Sequence, residues 1–140
     1  MQPAFDAIEA KGHHFESCGA FVGQFSTDAC LNKHAITRDE AMNILMFSSG
    51  VTGLNLRNSK SLEFVNQWYE YANDGVSFQG DHRNVNGSCS QDHRVFGHRH
   101  DQTVAGIIAN KLGMAIDNPT YFEYYSENPG PQAVVLLRGM

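Results

Sequence analysis

The sequence lacks the features by which several large protein classes are recognised. It has no apolar run near the roughly 18 residues needed to cross a bilayer. Its start, MQPAFDAIEAKG, has no basic segment followed by an apolar stretch, so it does not resemble a signal peptide. Low-complexity segments and internal repeats are absent. The formal net charge is −5, and no basic stripe is present, which argues against non-specific nucleic-acid binding.

Cysteine is scarce, and the common catalytic motifs are missing. Cys18, Cys30 and Cys89 are an odd, scattered set without a Cys-x-x-Cys pair. We interpret them as reduced thiols and therefore predict a cytoplasmic protein. The chain has no Gly-x-Ser-x-Gly, no Walker or dinucleotide glycine pattern, no His-Glu-x-x-His and no Cys/His zinc spacing.

The composition and the hydrophobic periodicity predict one α/β domain. The 140 residues, of which 41% are hydrophobic and 18% charged, suit a single globular domain over residues 1–140. Helical spacing and capping signals predict helices over 3–11, 38–46, 60–72 and 101–112, and extended segments over 13–17, 20–25, 47–58, 120–125 and 132–138. Because helices and strands alternate, the α/β class is expected.

Local signals refine these elements. Thr37 and Glu40 fit a capping box, Ser59 can cap the 60–72 helix, and Gly113 is expected to be left-handed after the 101–112 helix. The predicted apolar face of the 60–72 helix is Leu62, Val65, Trp68, Tyr69 and Ala72. The predicted inward residues of the 101–112 helix are Val104, Ile107, Ile108 and Leu112. The segment ENPGP (127–131) is predicted to form the turn between the last two extended segments.

Residues 75–99 are predicted to form a long loop. The segment is rich in Gly, Asn, Ser, His and Arg, and loops of this length in a compact domain are usually functional or disordered. We expect a functional loop, because four hydrophobic side chains can anchor it: Phe78, Val85, Val95 and Phe96.

A group of charged and imidazole side chains stands where the 101–112 helix should begin. His98, Arg99, His100, Asp101 and Gln102 are consecutive. A helix N-terminus attracts anions, and an arginine can bind phosphate through two nitrogens. Asp101 is itself a favourable residue in a first turn. The group is therefore either a solvated helix cap, part of a metal site, or the corner of an active site.

Two further hypotheses concern the 75–99 loop. One histidine could complete a manganese or magnesium site together with a phosphate substrate, because such a hard cation needs few protein ligands. The imidazoles and carboxylates considered for a metal are Asp81, His82, Asp92, His93, His98 and His100. The arginines of the two Asp-His-Arg segments, Arg83 and Arg94, could instead bind a sugar or a phosphate, or form surface ion pairs.

The order of these segments resembles a known family. A strand SSGVTGLNLRN (48–58) is followed by a helix with Phe-x-x-x-Trp-Tyr (64–69), by a polar loop, and by GHRHDQT (97–103) opening a helix. This order resembles nucleotide-sugar glycosyltransferases of the GT-A fold. More narrowly, it resembles bacterial and viral glycosyltransferase-like proteins with an HRHDQ motif. The resemblance covers roughly residues 45–116.

The resemblance implies roles for particular residues. It places Asp101 and Gln102 near the donor sugar and its diphosphate, as catalytic residues. It places His98, Arg99 and His100 on the wall of the same pocket, and Ser48, Ser49 and Gly50 where the sugar approaches the backbone. The implied partners are a nucleotide-sugar donor and a carbohydrate acceptor.

One departure from the family bears on the metal. Members of the family bind Mn²⁺ or Mg²⁺ through an Asp-x-Asp motif, and this chain contains none. The resemblance therefore implies a mixed-sheet C-terminal portion of a GT-A-like fold. The divalent metal is expected in the intact enzyme, and no residue of this chain is assigned to it. A strand edge exposed by truncation would favour a homodimer or poor solubility.

Two alternatives belong to other functional classes. The first is a non-catalytic carbohydrate- or phosphate-binding module that uses the same loop. The second is a small metal-dependent hydrolase built on the loop histidines.

Overall fold

The computed structural model describes residues 2–124 and 135–137, which form a mixed α/β structure. The helices are α1 (Gln2–Lys11), α2 (Asp28–Lys33), α3 (Arg38–Ala41), α4 (Ser59–Ala72) and α5 (His100–Lys111). The strands are β1 (His13–His14), β2 (Ser17–Phe21), β3 (Leu45–Phe47), β4 (Gly53–Leu54), β5 (Phe122–Tyr124) and β6 (Val135–Leu137), and Val22–Gln24 forms one 3₁₀ turn. The predicted α/β class is confirmed. No helix within these ranges is both long and apolar enough to span a membrane.

The segment that contains β1 and β2 is the centre of the strand arrangement. β1 is antiparallel to β4, and β2 is antiparallel to β3, with Ser17 opposite Phe47. On the other side, Glu16 forms a parallel bridge with Asp117. β5 and β6 pair in parallel. Within the described ranges the strands therefore form two-stranded pairs, and β3 is held beside β2 with its C-terminal end leading into residues 48–50.

Helix α5 forms the middle of the hydrophobic core. All residues from Thr103 to Ala109 are buried. Gly106 lets the helix approach β3, because an added Cβ would lie 3.2 Å from the Leu45 carbonyl oxygen. The Phe15 and Phe47 rings stack at 4.2 Å between centroids, and both are fully buried. Each such buried side chain stabilises the fold by about 1.5–3 kcal/mol.

The predicted helix over 38–46 is wrong in its second half. The capping box forms as expected, with the Thr37 hydroxyl accepting from the Glu40 amide. However, α3 ends at Ala41, and Leu45–Phe47 is strand β3. The Val22 amide donates to the Ile44 carbonyl at 2.9 Å, and β3 pairs with β2. This long-range pairing overrides the helical spacing.

The predicted strand over 47–58 is also interrupted. Only Gly53 and Leu54 form β4, and residues 48–52 between β3 and β4 belong to no strand. The glycine at position 53 is explained by helix α1, because an added Cβ would lie 2.5 Å from the Ile8 Cδ1 atom. Helix α4 is capped by Asn58, whose side chain accepts from Lys60 and Ser61, rather than by Ser59.

The inward face of α4 differs from the prediction. Phe64 is fully buried, whereas Leu62 and Tyr69 are exposed. Trp68 and Tyr71 pack partly buried against the core. The predicted apolar face left out Phe64 and included Leu62 and Tyr69, so it lies to one side of the face that is buried.

Other differences are small. Helix α2 was not predicted, although Thr27 caps it by accepting from the Cys30 amide. The extended segment over 20–25 ends at Phe21 and continues as the 3₁₀ turn. Gly113 has the predicted left-handed conformation after α5, with φ 62°. The predicted ENPGP turn between the last two strands lies outside the described residues.

Candidate functional site

The loop over 75–99 contains neither helix nor strand, as predicted, but side-chain hydrogen bonds organise it. The Asn84 amide donates to the Ser90 and Val95 carbonyls, and its oxygen accepts from the Cys89 and Ser90 amides. Val95 is buried, as expected, whereas the expected anchors Val85 and Phe96 are 61% and 58% exposed. This polar framework therefore replaces part of the predicted apolar anchoring.

His98 lies inside the fold, beneath the loop. Its ring Nε2 donates to the Ser77 carbonyl at 3.0 Å, and its backbone amide donates to the Asp81 carbonyl at 2.9 Å. The residue is 0% exposed. Burial lowers the pKa of His98 to about 4. The imidazole is thus neutral at pH 7, and it supports the turn rather than lining a pocket.

His100 begins helix α5 in a strained conformation. Its φ is 43°, in the left-handed region that costs a residue with a Cβ about 1–2 kcal/mol. The ring Nε2 donates to the Gly80 carbonyl at 2.9 Å, which ties the helix start to the loop. The His100 ring lies 6.5 Å from the His82 ring, measured between centroids.

A cavity of about 500 Å³ lies where the start of α5 meets β2 and β3. This volume is within the range of about 300–1,000 Å³ that is typical of small-molecule sites. Five of the residues predicted from the sequence line it together: Ser48, Ser49, Gly50, Arg99 and Gln102. The remaining wall is formed by Cys18, Ala20, Phe25 and Met46.

Gln102 is held in place by both of its amide hydrogens. Its Nε2 donates to the Phe47 carbonyl at 2.8 Å and to the Cys18 Sγ at 3.4 Å. The Oε1 atom is then the group of this side chain that can accept a hydrogen bond from a ligand hydroxyl. Gln102 is therefore suited to recognise a polyhydroxylated molecule.

Arg99 provides the positive charge of the cavity. Its guanidinium carbon lies 4.9 Å from the centroid of the Phe25 ring, and its Nη1 contacts the His82 ring. Among residues 2–124, no carboxylate forms an ion pair with Arg99. An anion bound in the cavity would therefore meet an arginine whose charge is not already neutralised.

Asp101 is placed differently from its neighbour. The residue is exposed and is not among those that line the cavity. Its backbone carbonyl accepts from the Trp68 Nε1 at 3.0 Å, so helix α4 fixes the main chain at this point. The predicted pair is thus split, with Gln102 on the cavity wall and Asp101 outside it.

The two loop arginines do not line the cavity. Arg94 forms ion pairs with Asp39 at 2.9 Å and Asp92 at 2.6 Å, and its hydrogen bonds hold the pKa of Asp92 well below the usual range. Arg83 is exposed. For Arg94 the geometry fits the surface ion pair considered above.

Four of the lining residues belong to no motif in the sequence: Cys18, Ala20, Phe25 and Met46. They come from β2, its continuation and β3, and only the pairing of these strands brings them to α5. Cys18 is the exposed cysteine, whereas Cys30 and Cys89 are buried and all three are free. Partial desolvation of the sulfur raises the pKa of Cys18, so it is a thiol at neutral pH rather than an activated nucleophile.

The side chains present do not by themselves fit a divalent metal. Across the described ranges, no group of three His, Cys, Asp or Glu residues is arranged to hold an ion. The cavity wall contains no carboxylate, which hard cations prefer. No step of the chemistry considered below is therefore assigned to a metal.

Together these features define an α/β protein with a mixed polar and apolar cavity beside a cationic helix start. In comparisons with known proteins, no family model, curated protein or solved structure matches the chain. Any function must therefore be argued from the cavity.

Proposed function

We propose that the chain carries the donor-sugar side of a nucleotide-sugar glycosyltransferase, or of part of one, with a GT-A-like fold. One observation supports this proposal above the others. The Ser48–Gly50 segment and the HRHDQ segment lie far apart in the sequence, yet Ser48, Ser49, Gly50, Arg99 and Gln102 line one cavity. The resemblance to nucleotide-sugar glycosyltransferases implies that these two segments line the same donor-sugar pocket.

The proposed chemistry uses the cavity as it is built. The anomeric carbon of the donor exchanges its bond to a diphosphate oxygen for a bond to an acceptor hydroxyl oxygen, and the hydroxyl proton passes to the leaving diphosphate. Arg99 stabilises the negative charge that develops on the leaving diphosphate. Gln102 accepts from a donor hydroxyl through Oε1 and so orients the sugar. Asp101 remains the candidate for positioning the acceptor hydroxyl, because it directly precedes Gln102.

The test is calorimetry with UDP-sugars, each with and without Mn²⁺. We expect binding, and we expect Ser49→Phe to abolish it by filling the cavity, whereas the exposed Ser59→Phe on α4 leaves it unchanged. If no UDP-sugar binds under either condition, the proposal is wrong. If binding survives Ser49→Phe undiminished, the cavity is not the site.

A specific observation favours a second candidate function, a non-catalytic carbohydrate-binding module. Among the residues that the structure describes, no carboxylate lines the cavity to serve as a base, and Asp101 lies outside it. Binding of free sugars without any preference for the nucleotide would favour the module. Metal retained through dialysis without nucleotide would instead favour a metal-dependent hydrolase.

A further inference from the structure

One arginine and two histidines, Arg99, His82 and His100, stand together next to the cavity. Arg99 Nη1 is within hydrogen-bonding distance of the His82 ring, 2.7 Å from Nδ1. The His82 and His100 rings are nearly parallel, at 23° between their planes, with centroids 6.5 Å apart. The sequence placed His82 among possible metal ligands and within the first Asp-His-Arg segment, and the structure brings it across from the loop to the start of α5.

Asp81 and Asp101 flank this group in the chain, and neither forms an ion pair with it among the described residues. The charged and titratable groups that act on His82 are Arg99, His100 and Arg83. The preceding residue, Asp81, forms no ion pair with any of them within the described ranges. Cationic groups placed side by side repel one another, and an anion bound between them would remove the repulsion.

The loop is built to keep His82 in this position. The glycine at position 97 leaves room for the His82 backbone, whose carbonyl an added Cβ would overlap. The backbone amide of His98 donates to the Asp81 carbonyl, and the backbone amide of Asn84 donates to the Phe96 carbonyl. These contacts join the 81–84 and 96–98 segments, so His82 is held opposite Arg99.

We propose that His82, Arg99 and His100 form a binding site for a phosphate group, and that the phosphate binds together with a proton on His82. This phosphate site would be part of the proposed glycosyltransferase site. It rests on the proposed function only where the natural source of the phosphate is concerned. That source is either the diphosphate of a nucleotide sugar or the phosphate of a sugar phosphate. Arginine supplies a fixed charge and a two-pronged donor, and protonated imidazole adds a second charged donor.

The direction in which pH changes anion binding follows from the charge of His82 in the protein without a ligand. The Arg99 charge beside it, followed by partial burial and the nearby His100 and Arg83, lowers the pKa of His82 below its ordinary value. The ring is therefore neutral at neutral pH without a ligand. A bound anion favours the protonated ring, so binding takes up a proton and tightens as the pH falls.

The experiment is calorimetric titration with inorganic sulfate and with pyrophosphate at about pH 8 and about pH 6. Sulfate keeps its charge across this range, so its pH dependence reports on the protein alone. We expect wild-type protein to bind sulfate about tenfold more tightly at the lower pH. His82→Gln should bind weakly and equally at both pH values, and Arg99→Gln should not bind detectably.

The second Asp-His-Arg segment provides the matched control. His93 is exposed, and the same change, His93→Gln, should leave the wild-type pH dependence intact. The imidazole proton signals of His82, followed by NMR, should titrate at higher pH when sulfate is present. Absence of binding to both anions at the lower pH would overturn the proposal, as would a pH dependence that persists in His82→Gln.

Comparison of ligands separates this inference from the proposed function. If pyrophosphate binds with the expected pH dependence and UDP-sugars do not bind, the phosphate site stands and the glycosyltransferase proposal is wrong. If UDP-sugars bind with an affinity that His82→Gln does not alter, the phosphate site is wrong and the glycosyltransferase proposal stands. Competition by UDP against a sugar 1-phosphate identifies the natural source of the phosphate.

Discussion

Two buried histidines should make the protein sensitive to mild acid. Both His34 and His98 are almost inaccessible to solvent, at 4% and 0% exposure. Burial lowers the pKa of each from 6.5 to about 4. Both rings contact Ser77, His34 through the hydroxyl and His98 through the carbonyl. The neutral rings are therefore part of the framework beneath the candidate site.

The direction and the size of this change in stability with pH follow from proton linkage. Because the folded state excludes protons that the unfolded state binds below pH 6.5, stability falls as the pH decreases from about 6.5 towards about 4. Each histidine should lower the free energy of unfolding by about 2 kcal/mol between pH 7.5 and pH 5. Two of them remove about 4 kcal/mol, a large part of the roughly 5–15 kcal/mol typical of a domain.

The assay is urea unfolding at a series of pH values, followed by fluorescence of the single tryptophan, Trp68. His98→Gln keeps an amide donor for the Ser77 carbonyl and removes one titrating group. In this variant the loss of stability between pH 7.5 and pH 5 should be smaller than in the wild type by about 2 kcal/mol. His93→Gln, at an exposed position, should keep the wild-type slope. A wild-type stability that is flat across this range would refute the reasoning, as would an unchanged slope in His98→Gln.

Four further substitutions test other parts of the structure. Gly53→Ala should destabilise the fold by about 1–3 kcal/mol in urea unfolding, because the new Cβ overlaps the Ile8 side chain. Trp68→Phe removes the hydrogen bond to the Asp101 carbonyl and should lower stability by about 1 kcal/mol, measured by urea unfolding followed by circular dichroism because this variant has no tryptophan. Asn84→Ala removes four loop hydrogen bonds; limited proteolysis should then cut within 75–99 faster. Asp101→Asn should reduce sugar transfer at least about tenfold while urea unfolding stays unchanged; near-normal transfer would remove Asp101 from the catalytic residues.

Local signals in the sequence were sufficient where a short segment decides its own structure. The capping box at Thr37 and Glu40 and the left-handed Gly113 depend on neighbouring residues alone. The buried face of α5 also follows from its spacing. The helix predicted over 38–46 failed because its second half pairs with β2, and pairing across the chain is not encoded in local spacing.

The candidate site was predictable in its composition but not in the direction of each side chain. The HRHDQ segment was recognised as a unit, yet His98 points into the core while Arg99 lines the cavity. That alternation depends on the Ser77 and Asp81 carbonyls, which accept from His98. Cys18 and Phe25 reach the cavity only through the pairing of strands, so no motif could have identified them.

The most direct test of the account uses Cys18, the exposed cysteine on the cavity wall. Iodoacetamide should modify it in the native protein and leave the buried Cys30 and Cys89 intact, which mass spectrometry can quantify. Because the pKa of the Cys18 thiol is raised, the reaction should be run at about pH 9, where more thiolate forms. A saturating UDP-sugar is expected to slow modification of Cys18 by about tenfold or more. Modification at the same rate with and without every UDP-sugar would contradict the claim that this cavity binds the donor.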